Sequence, residues 1–134
     1  MEKKGRFDFD FSGRKVLVVE DTLMSFKLIK AVLTQVKADV DHAVDGSKAI
    51  EMCSGDNSYD LVVMDIQMPG IDGLEATRAI KEIHPDLPVI AATANTFEDE
   101  EAASREAGCD DFITKPLKFV TLFEKMQRLF DRQV

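Results

Sequence analysis

Cysteine is nearly absent from the 134-residue chain, and the two present, Cys53 and Cys109, stand in no CxxC or Cys/His spacing. Zinc fingers and disulfide frameworks are therefore not expected, since both need several cysteines or histidines at characteristic intervals. Positive charge is in short supply: 17 Lys and Arg face 25 Asp and Glu, a formal net charge of −8. A surface that neutralises nucleic-acid phosphates needs the opposite surplus, so direct nucleic-acid binding is not expected. The longest apolar runs are a handful of residues, too short to span a membrane, and the charged start MEKKGRFDFDFSG has no apolar signal region. The expected compartment is a reducing cytoplasm, with no membrane contact. Neither GxGxxG nor the GxxxxGKS/T loop occurs, which removes the fingerprints of nucleotide binding.

What the chain does have is alternation of strand and helix. KVLVVE (15–20) is a β-branched apolar run that reads as a buried strand. Phe26, Ile29, Leu33 and Val36 then recur at helical spacing, with Lys27, Lys30, Thr34 and Lys37 on the opposite face. ADVDHAV (38–44) suggests a second strand, Asp45-Gly46 a turn, and Ala49, Ile50 and Cys53 one side of a short helix stopped near Gly55. DLVVMD (60–65) is the third strand. Leu74, Thr77, Ile80 and Ile83 mark a helix ended by HPDLP, and PVIAAT (88–93) is the fourth strand. Thr96 is a candidate cap for a helix opening on EDEE and stopping at Gly108. DFIT (111–114) is the fifth strand, followed by a helix with Phe119, Leu122, Phe123, Met126 and Phe130 on one stripe.

Five strands alternating with five helices, in a chain of one-domain length, imply an α/β fold: a parallel sheet covered on both faces and doubly wound by right-handed crossovers. Ligands of such sheets bind beyond the carboxyl ends of the strands, where strand order reverses. The residues that end strands one, three, four and five are Glu20 with Asp21, Asp65, Thr93, and Thr114 with Lys115. Three carboxylates on one rim repel unless a cation is present, and a hard oxygen-seeking ion such as Mg²⁺ relieves the conflict. Metal, lysine and hydroxyl together suit the oxygens of a transferring phosphoryl group, with Asp65, at the end of the central strand, as nucleophile.

VLVVED, DLVVMDIQMPGIDG, AATAN and DDFITKPL resemble, in order and spacing, the motifs of two-component response regulator receiver domains, over roughly residues 13–131. The resemblance implies a flavodoxin-like five-stranded sheet of order 2-1-3-4-5. It also implies a division into a tail or linker, 1–12, and a receiver domain, 13–134. Asp65 becomes the phosphoacceptor, taking its group from a histidine kinase or a histidine phosphotransfer protein. Glu20, Asp21, Asp65 and the backbone carbonyl of Gln67 become the Mg²⁺ ligands. Lys115 pairs with the phosphoryl group, its peptide bond to Pro116 cis. Thr93 and Phe112 become the switch residues, and Gln67 and Asn95 the positions that tune dephosphorylation. Phosphorylation would shift the face formed by helix four, strand five and helix five, a candidate homodimer surface. Glu20 departs from the commoner aspartate and Phe112 from the commoner tyrosine.

Other residues carry plainer expectations. Asp72-Gly73 reads as a turn, Met64 and Met68 as packing, and His42 and His84 as solvated or locally bonded side chains far from the rim. The FDFDF stretch leaves open a short edge strand, an arm packing on a neighbour or a linker. Two rival functions are an Mg²⁺-dependent aspartyl-phosphate phosphatase, for which Gln67 stands where a general acid is needed, and a receiver-like interaction module that takes no phosphate. As an isolated domain the chain is expected to catalyse only its own phosphorylation and dephosphorylation. With no room for an output domain after the last helix, it reads as a stand-alone receiver or, preferably, part of a hybrid histidine kinase.

Overall fold

The computed structural model describes residues 9–55, 58–67, 72–94 and 98–132. Its elements run β1 (Lys15–Val19), α1 (Leu23–Gln35), β2 (Asp39–Ala43), α2 (Gly46–Ser54), β3 (Leu61–Asp65), α3 (Gly73–Ile83), β4 (Val89–Thr93), α4 (Glu98–Ala107), β5 (Asp111–Thr114) and α5 (Phe119–Asp131). The five strands are parallel and ordered β2-β1-β3-β4-β5.

Strand periodicity sorts the core into two layers. Val16, Val18, Leu61, Val63, Ile90, Ala92 and Ile113 point to one face, where α1 and α5 cover them. Their neighbours Leu17, Val19, Val62, Met64, Val89 and Ala91 point to the other, against Ala49 and Cys53 of α2 and Ala76 and Ile80 of α3. Burial on both faces explains why β3 and β4 are apolar throughout until a polar residue ends each.

Helix boundaries follow local chemistry. Asp45 does not turn the chain but caps α2, accepting from the Lys48 N–H at 2.8 Å. Asp72 likewise caps α3, accepting from Glu75 N–H at 2.8 Å. Gly108, at φ +108°, ends α4 in a conformation that a side chain resists. Thr96, the expected cap of α4, lies outside the described residues.

The amino-terminal arm differs from the expected boundary. Phe11 is buried, its N–H bonds the Val36 carbonyl at 2.7 Å, and its ring meets Phe130 edge-on at 5.1 Å. Phe9 packs on Phe123 at 5.5 Å, and Arg14 lies over the Phe130 ring at 4.5 Å. The packed unit therefore begins before residue 13. None of the three readings of FDFDF anticipated this: Phe9 and Phe11 form an arm that packs on its own domain. Phe11→Ala is expected to lower the unfolding free energy by about 3–5 kcal/mol, the usual range for emptying a buried phenylalanine site. Urea unfolding would show a lower midpoint at unchanged slope, and Phe9→Ala, half-buried, should cost clearly less.

Candidate functional site

The rim beyond the carboxyl ends of β1, β3, β4 and β5 gathers the residues singled out from sequence. Glu20 and Asp65 are buried and Asp21 is exposed, and each can place one carboxylate oxygen so that all three lie within 4.8 Å of one another. Lys115 reaches across from the end of β5, its Nζ 3.2 Å from Asp65 Oδ2 and 3.6 Å from Glu20 Oε1. The Lys115-Pro116 peptide is cis.

Backbone bonds set these side chains. Glu20 N–H continues the β1–β2 ladder to the Ala43 carbonyl at 3.0 Å, and Glu20 Oε2 accepts from Thr22 N–H at 3.2 Å. Asp65 Oδ1 accepts from Gln67 N–H at 3.0 Å, which holds the carboxylate over its own loop. Gln67 Oε1 in turn accepts from Ala94 N–H at 3.1 Å and ties the β3–α3 loop to the end of β4. Thr93 is buried at that end, its hydroxyl 3.5 Å from Glu100 Oε1 on α4. Phe112 is half-buried beside the layer covered by α2 and α3. Asn95 lies outside the described residues.

Electrostatically the site holds an excess of negative charge in little water. Burial pushes the Glu20 carboxyl above its usual range and Asp65 adds to the rise, while Thr22 N–H and Lys115 oppose it. Lys115 can neutralise only one of the three carboxylates. The donor set therefore fits a hard divalent cation, which favours oxygen ligands and keeps positions open for water or a phosphoryl oxygen.

His42 departs from expectation. It stands on edge strand β2, yet its Nε2 lies 2.7 Å from the Glu20 carbonyl oxygen and its ring stacks on Phe26, centroids 3.8 Å apart and planes within 6°. It is locally bonded, as expected, but beside the rim. His84 does stay away, with Nε2 at 2.8 Å from the Cys53 carbonyl. Burial pushes both cysteine thiols up to about 11, leaving them neutral and unreactive near neutral pH. Sequence reasoning missed Glu100, on the first turn of α4, and His42, on edge strand β2, because nothing in linear spacing shows which helix-start or edge-strand residues turn toward the rim. No helix among the described residues is long and apolar enough to cross a membrane.

A doubly wound sheet with acids, a lysine and a threonine at its switch point belongs to the class of α/β folds that handle charged oxygens beyond their strand ends. Comparison with known proteins narrows that class: residues 16–127 match the response regulator receiver domain, and the chain belongs to that family. It is 41% identical over 119 residues to hybrid signal transduction histidine kinase I of Dictyostelium discoideum, covering 83% of this chain and 7% of that protein. It is 35% identical over 121 residues to the transcriptional regulatory protein TcrA of Mycobacterium tuberculosis, covering 90% of this chain and 47% of that one. The receiver domain of the sensor histidine kinase PA1611 of Pseudomonas aeruginosa superposes with a TM-score of 0.82 at 31% identity, covering 90% of this chain and 99% of that one. That structure holds a magnesium ion in its active-site cleft. The chain thus spans less than half the length of either of these two full-length relatives.

Proposed function

We propose that the domain accepts a phosphoryl group from a partner's phosphohistidine onto Asp65 and passes its state on through the α4–β5–α5 face. The observation that carries this reading is the buried Asp65 carboxylate, at the end of the central strand, within 3.2 Å of Lys115 and grouped with Glu20 and Asp21. In the transfer, an Asp65 oxygen attacks phosphorus and the phosphorus–nitrogen bond to the imidazole breaks. The released imidazole keeps the electron pair and takes a proton from solvent. Lys115 sits where it can pair with a phosphoryl oxygen once Asp65 has become a carboxyl phosphate. Glu20, Asp21, Asp65 and the Gln67 carbonyl would hold Mg²⁺, which supplies charge neutralisation for the transferring oxygens.

Thr93 and Phe112 are the switch in this reading: the hydroxyl leaves the neighbourhood of Glu100 for the phosphoryl group, and the ring moves into the space vacated. Gln67 and Asn95 would set the lifetime of the phosphorylated state. The phosphatase reading gains no support from Gln67, whose side-chain oxygen is already engaged by Ala94 N–H.

The partner's approach is favoured over α1. Leu23, Met24 and Leu28 are 56%, 80% and 57% exposed, an unusual run of apolar side chains on an open surface. Beside them a groove of about 180 Å³, lined by Glu20, Leu28, Lys115, Leu117 and Phe119 among others, opens next to the acidic cluster. A helix carrying the donor histidine fits such a surface. The motif wording and the kinase relatives favour a receiver that works within or beside a histidine kinase in the cytoplasm.

The direct test is incubation with a small phosphoryl donor such as phosphoramidate, with and without Mg²⁺. One phosphoryl group per chain is expected by intact-mass measurement, dependent on Mg²⁺ and mapped to Asp65 by peptide analysis. A protein that stays unmodified, or is modified elsewhere, contradicts the reading and leaves the interaction-module alternative.

A further inference from the structure

Glu20 reaches the acidic cluster on a longer side chain than its neighbour Asp21, with one more rotatable bond between backbone and carboxylate. Holding a longer arm in one geometry costs more conformational freedom, so its anchoring matters more. Two contacts fix the carboxylate itself, Thr22 N–H and Lys115. The backbone of Glu20 is fixed on one side by the Ala43 carbonyl and on the other by a side chain from the edge of the sheet, His42.

The His42 contact has a defined polarity. A carbonyl oxygen only accepts, so at 2.7 Å the Nε2 atom must carry the proton and donate it. The same ring lies flat on Phe26, whose N–H bonds the Thr22 carbonyl in the first turn of α1. His42 therefore touches both ends of the short segment that bears Glu20, Asp21 and Thr22. Among the described residues it forms no ion pair with a carboxylate.

We infer that His42 is a positioning residue for the cation site, bracing the Glu20 backbone from β2 so that the Glu20 carboxylate is held in place for the divalent ion. The inference rests on the Mg²⁺ reading proposed above. Its contribution is the order already present in the segment before the ion arrives, which lowers the ordering cost of binding.

The experiment compares Mg²⁺ affinity by isothermal titration calorimetry, together with thermal melting, in wild type, His42→Phe, His42→Gln and His84→Phe. Phenylalanine keeps a flat ring on Phe26 and removes the donor, whereas the glutamine amide can put an N–H where Nε2 stood. His42→Phe is expected to weaken Mg²⁺ binding about 3- to 10-fold, the fold-change equivalent to one neutral hydrogen bond. His42→Gln should recover most of that loss, and His84→Phe, at the end of α3 beside the Cys53 carbonyl, should bind as wild type does. Undiminished Mg²⁺ affinity in His42→Phe, or a glutamine variant as weak as the phenylalanine one, overturns the role of His42. Failure of wild type to bind Mg²⁺ overturns the cation reading, and this inference with it. ¹⁵N NMR of the wild-type imidazole provides a check that needs no variant: the Nε2–H tautomer is expected, and the Nδ1–H tautomer contradicts the contact.

Discussion

In an Asp65→Asn variant, phosphoryl incorporation is expected to fall to background while the metal-free domain becomes more stable than wild type. The first effect follows from chemistry, because a neutral amide oxygen is a poor nucleophile and cannot form the carboxyl phosphate. The second follows from the cluster. Asp65 lies among acids in a buried site and helps to raise the Glu20 carboxyl above its ordinary value of 4.5. An acid whose folded value is raised binds its proton more tightly when folded. Its contribution to stability therefore declines as pH rises from 4.5 through the raised value, and above that value the cost is present in full. Removing the Asp65 charge makes this decline shallower, and each tenfold relief of the Glu20 acid constant corresponds to about 1.4 kcal/mol. Urea unfolding with a chelator present, repeated across mildly acidic to neutral pH, measures both slopes. Identical slopes would contradict the electrostatic account, and undiminished phosphoryl uptake would remove Asp65 as acceptor.

Gly73→Ala should be the most damaging small substitution near the site. A Cβ at Gly73 would lie 2.4 Å from Ile66 Cα and 2.5 Å from the Asp65 carbonyl oxygen. Both are backbone atoms of the central strand's end, so no flexible side chain can yield; either α3 lifts or the strand end moves. Overpacking typically costs about 1–3 kcal/mol and occasionally more, and this contact belongs at or above the upper end of that range. The functional loss should exceed the loss of stability, because the atoms displaced belong to Asp65, the proposed acceptor, and to Ile66. At a temperature where the variant is still folded by circular dichroism, its uptake of beryllofluoride with Mg²⁺ should be strongly reduced. Gly55→Ala is the control: the nearest atoms to its Cβ lie at 3.8 and 3.9 Å, and no appreciable loss of stability is expected. Equal behaviour of the two variants would show that the close approach of α3 to β3 does not set the geometry of the acceptor.

Much of this architecture is legible in the sequence because a strand buried on both faces has few residue types open to it. VVMD can remain apolar up to Asp65 only if a sheet neighbour stands on each side and the carboxylate falls at the edge. Parallel topology then forces the ends of β1, β3, β4 and β5 together, so the meeting of Glu20, Asp65, Thr93 and Lys115 on one rim follows from strand positions. Contacts made by residues outside that pattern were not legible. Phe9 and Phe11 alternate with aspartates as they would in a linker or an edge strand, and only the gap between α1 and α5 turns them into core. His42 sits where an edge strand tolerates any polar residue, and its approach to Glu20 depends on the flat stacking with Phe26. Asp45 and Asp72 looked like turn residues because a helix cap and a turn use the same short acid, and only the residues C-terminal to the acid decide between them.

The position of the aromatic arm has a consequence for how the domain can be joined to other chains. Phe11 is bonded to Val36, just past the end of α1, and Arg14 leads directly into β1, so the arm is docked at the amino edge of the sheet. Asp65 opens at the opposite edge. A tether, label or fusion partner attached close to Phe9 would be joined at the amino pole of the sheet, away from the Asp65 rim that is the proposed site of phosphoryl transfer.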